Sequence, residues 1–213
     1  MSEHIKCELD GNVLVVRMQR ADKKNALTMA MYEGLIAAYE QLASDPAARV
    51  LLITGDADCF TSGNDIQDFL QNPPTGPESP VSRFLVAAEA AEKPVVAAVN
   101  GVAVGVGTTM LLHCDLVYAA RSAMLQMPFI NLALVPENAS SLLLPKMMGH
   151  QRAAELLLLG TTFTGEEAVR LGIANQVAED TEYLQLAREK ALQLAAQPAS
   201  AVRLTKQLLK APY

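Results

Sequence analysis

The chain has 213 residues, 51% of them hydrophobic and 19% charged, with no tryptophan; it is long enough for one well-cored domain, and this balance excludes a disordered chain. Its formal net charge is −6 and no Lys/Arg run exceeds Lys23-Lys24, which argues against nucleic acid or an anionic membrane as the main partner. Cys7, Cys59 and Cys114 are scattered with no CxxC, and the opening MSEHIK has no apolar stretch; reduced intracellular thiols, no signal peptide and a cytoplasmic location are the expectation.

Taken in order, four valine-rich runs predict buried strands: VLVVRM (13–18), VLLIT before Gly55, VVAAV before Asn100-Gly101, and LVYAA (116–120). Between the first two, Met31, Tyr32, Leu35, Ile36, Tyr39 and Leu42 recur at helical spacing, which predicts a helix from Thr28 to Ser44 with one apolar face. Strand, helix and strand in alternation indicate an α/β domain. The second strand leads into CFTSGNDI (59–66), where Asp65 suits the N-cap of a helix continuing as IQDFLQ. QNPPTGPESP (71–80) reads as a loop, either a plain connector or a mobile segment beside a site. The charge-free run from Pro94 to Cys114 is long enough for a membrane span. Asn100-Gly101, Gly105, Gly107 and Thr108-Thr109 divide it into strand, turn and helix start, so buried core is expected instead. After Glu137 the pattern turns wholly helical, giving an α/β core over 1–137 and a helical region over 138–213.

Several chemistries are missing. His4, His113 and His150 lack metal-ligand spacing, and neither HExxH nor GxSxG nor a P-loop occurs. GVGTTM (105–110) has Met110 where a dinucleotide fingerprint needs its third glycine. His113-Cys114-Asp115 cannot form a triad, because three consecutive side chains do not face one another, and core filling is the default. Two features remain. CFTSGNDI and NGVAVGVG (100–107) each carry the chain from a strand toward a helix start, where free N–H groups point outward. Side by side, such turns supply the paired donors an oxyanion hole requires. Glu137, in LVPENASS, is the only charged side chain between Arg121 and Lys146. It reads as a helix-start acid following Pro136, or as a catalytic carboxylate in an apolar pocket, and the two are compatible.

These residues resemble the crotonase, or enoyl-CoA hydratase/isomerase, superfamily over nearly the whole chain. RADKKNAL (20–27) is similar to its first CoA-contacting turn and FTSGNDI to its first oxyanion turn. KPVVAAVNGVAVGVGTTMLLHCDLVYAA (93–120) resembles its central signature, and FTGEEAVRLGIANQV (163–177) a later helix-strand segment. The resemblance implies an α/β, crotonase-like spiral of ββα units followed by a helical part, with trimers or dimers of trimers and further helices beyond Tyr213. It implies an acyl-CoA thioester substrate and no cofactor or metal beyond the coenzyme A of that substrate. By the same resemblance, oxyanion-hole amides fall on Asn64 and Val106, and Lys24 and Ala26 lie near the adenine and phosphate end of CoA. Thr61, Ser62, Gly63, Asp65, Ile66, Gly105 and Phe129 line the CoA and acyl site. The family's hydratases use two glutamates, at positions that hold Thr109 and Phe129 here. Its Δ3-Δ2-enoyl-CoA isomerases use one, in a segment like LVPENASS, and SGNDI resembles the peroxisomal-type isomerases; Glu137 matches. Isomerisation by a single carboxylate is therefore the expected activity. A hydratase or other family lyase, and a non-catalytic acyl-CoA-binding member, stand as alternatives; Asn138, where glycine often follows the isomerase glutamate, favours the last.

Overall fold

The computed structural model describes residues 2–56 and 58–211. Met1 of MSEHIK and the terminal Pro212 and Tyr213 lie outside them. β1 (Ile5–Asp10) turns at Gly11 into β2 (Val13–Met18), antiparallel to it with Ile5 opposite Met18. A 3-10 turn (Ala21–Lys23) leads to α1 (Met29–Ser44), whose N-cap Thr28 accepts from Met31 N. The chain then alternates between two sheets. β3 (Val50–Gly55) passes directly into β4 (Cys59–Thr61), followed by α2 (Ile66–Gln71) and α3 (Pro80–Ala90). β5 (Val95–Val99) passes into β6 (Val102–Val104), then α4 (Val106–Thr109), continued by a 3-10 turn over Met110–His113. β7 (Leu116–Ala120) passes into β8 (Met124–Gln126). Three strand-strand pairs in succession make the spiral of ββα units expected from the resemblance.

α5 (Ser140–Met148), α6 (His150–Leu159), β9 (Phe163–Thr164), α7 (Gly165–Arg170), β10 (Gln176–Ala178), α8 (Tyr183–Ala196) and α9 (Ala199–Lys210) complete the described chain. The larger sheet runs β1-β2-β3-β5-β7-β10 and the smaller β4-β6-β8-β9. The region after Glu137 is thus not wholly helical as its pattern suggests. β9 pairs with β8 and β10 with β7, so this region completes both sheets of the core. Strands of two and three residues are too short to show a period of their own.

The larger sheet is buried on both faces, which is why its strands read as continuous apolar runs. Val50 and Leu52 face α8, whose Ala187, Ala191 and Ala195 form a small-residue stripe that lets the helix lie close to the sheet. Leu51 and Ile53 point the other way, into the larger cluster with Leu35, Tyr39 and Phe84. Each such aliphatic side chain contributes roughly 1.5–3 kcal/mol by burial. Lys206 ties α9 to the sheet: its Nζ, on a side chain only 4% exposed, is 2.7 Å from Asp115 Oδ2 and 2.9 Å from Lys93 O. Among the described residues no helix is long and apolar enough to cross a membrane. The Pro94–Cys114 run is core, as expected.

Candidate active site

Two strands of the smaller sheet, β4 and β6, run parallel with Cys59 opposite Val102, so the turns that follow them lie side by side. Their packing is tight: a Cβ added at Gly63, where φ is +92°, would stand 2.9 Å from Val104 O. One added at Gly107 would stand 2.6 Å from Thr61 Cγ2. Only glycine permits both approaches. Within the described residues, neither the Asn64 amide after the first turn nor the Val106 amide at the start of α4 has a hydrogen-bond acceptor. Gly105 N-caps α4 with φ +57°. Two unpaired N–H groups on adjacent turns are what a developing oxyanion needs.

The 20–27 turn is zipped to the first of these. Asn25 is fully buried at φ +53°; its Oδ1 accepts from Arg20 N (2.7 Å) and its Nδ2 donates to Cys59 O (2.7 Å). Ser62 N donates to Lys24 O (2.9 Å), Leu27 N to Gly63 O (2.8 Å), and the buried Thr61 hydroxyl to Asn25 O (2.7 Å). Lys24 itself is exposed, with its backbone left-handed at φ +48°. Asp65 has a structural task. Oδ1 caps α2 through Gln67 N and Asp68 N, and Oδ2 pairs with Arg20 at 2.7 Å, while Arg20 also donates to Ala26 O. These partners, Arg20 foremost, hold the Asp65 carboxyl below its usual range, so it is no candidate base. Ile66, beside it, is 70% exposed.

Glu137 does not sit in the first turn of a helix. α5 begins at Ser140, with Ala139 as N-cap and no acid in its first turn. The helix-start reading therefore fails: Asn138 and Ala139 are both left-handed, at φ +53° and +54°, and hold Pro136 and Glu137 outside the helix. Burial pushes the Glu137 carboxyl from its ordinary 4.5 up to about 7. The neighbouring Thr109 hydroxyl offsets part of that rise, although Glu137 Oε1 and Thr109 Oγ1 are both buried and neither forms a hydrogen bond of ordinary geometry. Two residues whose sequence context suggests plain core also belong here. Tyr32 on α1 is fully buried and donates from its hydroxyl to Asn64 Oδ1 at 2.5 Å, and the Glu137 charge helps, after burial, to push its phenol upward. A buried tyrosine needs a partner for its hydroxyl, which was the available signal. His113 is the other, with Nε2 3.0 Å from Asn138 O. The structure thus brings Tyr32, Asn64, Thr109 and Glu137 into one neighbourhood. Phe129 is 8% exposed and belongs to the larger core cluster.

A spiral of ββα units with this pair of turns defines a class, and the chain belongs to the enoyl-CoA hydratase/isomerase family, whose model matches residues 8–213. Among curated relatives, 1,2-epoxyphenylacetyl-CoA isomerase of Escherichia coli (strain K12) is 36% identical over 98% of this chain and 82% of its own length. Enoyl-CoA delta isomerase 2 of Rattus norvegicus is 33% identical over 98% of this chain, which spans only 55% of that protein. Among solved structures, Pseudomonas aeruginosa OdaA is 53% identical with a TM-score of 0.96, covering all of this chain and 86% of its own. An enoyl-CoA hydratase/isomerase from Pseudoalteromonas atlantica T6c is 39% identical with a TM-score of 0.93, covering 97% and 82%.

Proposed function

We propose that this chain is a Δ3-Δ2-enoyl-CoA isomerase that moves one proton with one carboxylate. The observation that carries the reading is Glu137, raised to about 7 by burial, next to Thr109 rather than a second acid. The other carboxylates that depart from ordinary values, Asp10, Asp65 and Asp180, are all held down by partners. Glu137 takes the proton from C2 of a 3-enoyl thioester, and the electron pair passes into a dienolate whose charge gathers on the thioester oxygen. The Asn64 and Val106 amides hold that oxygen, each donor lowering the barrier by about 3 kcal/mol. The protonated Glu137 then gives the same proton to C4, leaving the double bond between C2 and C3. A carboxyl near 7 is matched to both halves of this exchange at neutral pH. Tyr32 holds the Asn64 side chain and so steadies the turn that carries its amide.

Lys24 and Ala26 are assigned to the CoA end of the substrate, with Thr61, Ser62, Gly63 and Gly105 shaping the turns around the thioester. Phe129 and Thr109 stand where the hydratases of the family carry acids, so no pair of carboxylates is present to activate water. The same reading makes the enzyme a cytoplasmic homotrimer or dimer of trimers. Leu132, Leu134, Val135, Leu158 and Leu159, each more than half exposed, support an assembled form. The reaction is tested by offering a 3-enoyl-CoA and a 2-enoyl-CoA separately. The expected outcome is conjugated 2-enoyl-CoA from the first and almost no 3-hydroxyacyl-CoA from the second; efficient hydration would overturn the assignment.

A further inference from the structure

Among the described residues His113 is the one buried imidazole, and the proposed reaction leaves it unused. It ends the 3-10 turn over Met110–His113 that continues α4, so it belongs to the same helical run as Val106 and Thr109. The residue is 8% exposed and its Nε2 lies 3.0 Å from Asn138 O. A carbonyl only accepts, so Nε2 carries the proton and donates. Burial opposes the imidazolium, which leaves Nδ1 bare in the neutral ring.

The carbonyl it holds is the one following Glu137. Asn138 and Ala139 are consecutive left-handed residues without glycine's freedom, a strained arrangement that persists only where the surroundings enforce it. Two devices enforce it here. Glu137 O accepts from Ser140 N at 3.0 Å and from Ser140 Oγ at 2.6 Å, while Asn138 O accepts from His113. The left-handed pair is thus fixed from both sides. We infer that His113 is a positioning residue for the isomerisation: its Nε2–H clamps the Asn138 carbonyl and so sets where the Glu137 carboxylate stands relative to the Val106 amide. The clamp accounts for how asparagine can follow the catalytic glutamate without displacing it.

This inference rests on the isomerase reading, and its test includes a readout that does not. His113→Gln keeps a donor near the place of Nε2, His113→Asn keeps polarity but falls short of it, and His113→Leu removes the donor. Turnover of a 3-enoyl-CoA is expected to fall about tenfold or more in the Asn and Leu variants, with the Michaelis constant within about twofold, and to recover in the Gln variant. Independently of turnover, carbon-13 NMR of the Glu137 carboxyl should show its titration moving down toward the ordinary carboxylate range in the Asn and Leu variants, as the carboxylate gains water, and staying near the wild-type midpoint with Gln. Should the Leu variant fail to fold, the Gln–Asn contrast decides alone. Wild-type turnover and an unmoved Glu137 titration in both Gln and Asn variants would overturn the clamp, as would nitrogen-15 shifts placing the His113 proton on Nδ1. A wild-type protein inactive on 3-enoyl-CoA would sink the reaction but leave the titration to judge His113.

Discussion

Glu137→Gln should abolish turnover and, above neutral pH, stabilise the protein. The carboxyl stands at about 7 in the fold against an ordinary 4.5. Below about 4.5 both folded and unfolded forms are protonated and the shift costs nothing. Between 4.5 and 7 the unfolded chain loses this proton while the native one keeps it, so stability falls as pH rises through that window. Above 7 the full penalty is present. At 1.36 kcal/mol for each pK step it reaches about 3 kcal/mol near pH 8, against less than about 1 near pH 5. Glutamine has nearly the same shape and no charge, so the variant should gain up to that amount near pH 8 and little near pH 5. The burial cost of the amide makes about 3 an upper figure. Urea unfolding of both proteins at the two pH values measures the difference, and 3-enoyl-CoA turnover on the same samples should fall at least about a hundredfold. A variant that loses stability by a pH-independent few tenths of a kcal/mol, with turnover intact, would refute the desolvated-base argument.

Lys24→Glu places an acid at the assigned CoA end and should raise the Michaelis constant at low salt while leaving kcat nearly unchanged; an unchanged Michaelis constant removes Lys24 from the CoA site. Lys206→Ala removes the ammonium paired with Asp115 Oδ2, which keeps its hydrogen bond from the Val95 amide, so denaturant unfolding should show a loss of roughly 3 kcal/mol, the low end for a broken buried pair. Ala133→Gly relieves an exposed left-handed residue at φ +56° and should add roughly 0.5–1 kcal/mol by the same assay.

What was legible follows from burial. VLVVRM, VLLIT, VVAAV and LVYAA became β2, β3, β5 and β7 because strands covered on both faces must be apolar throughout. β1, IKCELD, alternates between buried and exposed positions at the sheet edge, and its mixture of charges hides it. The helix-start pattern puts a first helical position at Pro136, four residues before α5 begins at Ser140, since Pro136 and Glu137 imitate helix-start chemistry while Asn138 and Ala139 adopt left-handed angles that no glycine announces. The two turns were readable from their glycines, because close approach restricts the residue type. Partnerships were not: Tyr32 with Asn64 and His113 with Asn138 join residues 32 and 25 positions apart, and nothing local marks either pair.

The account turns on one carboxylate carrying one proton from C2 to C4, and a labelled substrate tests that directly. A 3-enoyl-CoA bearing deuterium at C2, converted in ordinary water, should yield 2-enoyl-CoA with a substantial share of that deuterium at C4, because desolvated Glu137 returns the atom it removed. Product carrying only solvent hydrogen at C4 would contradict the single-carboxylate shuttle.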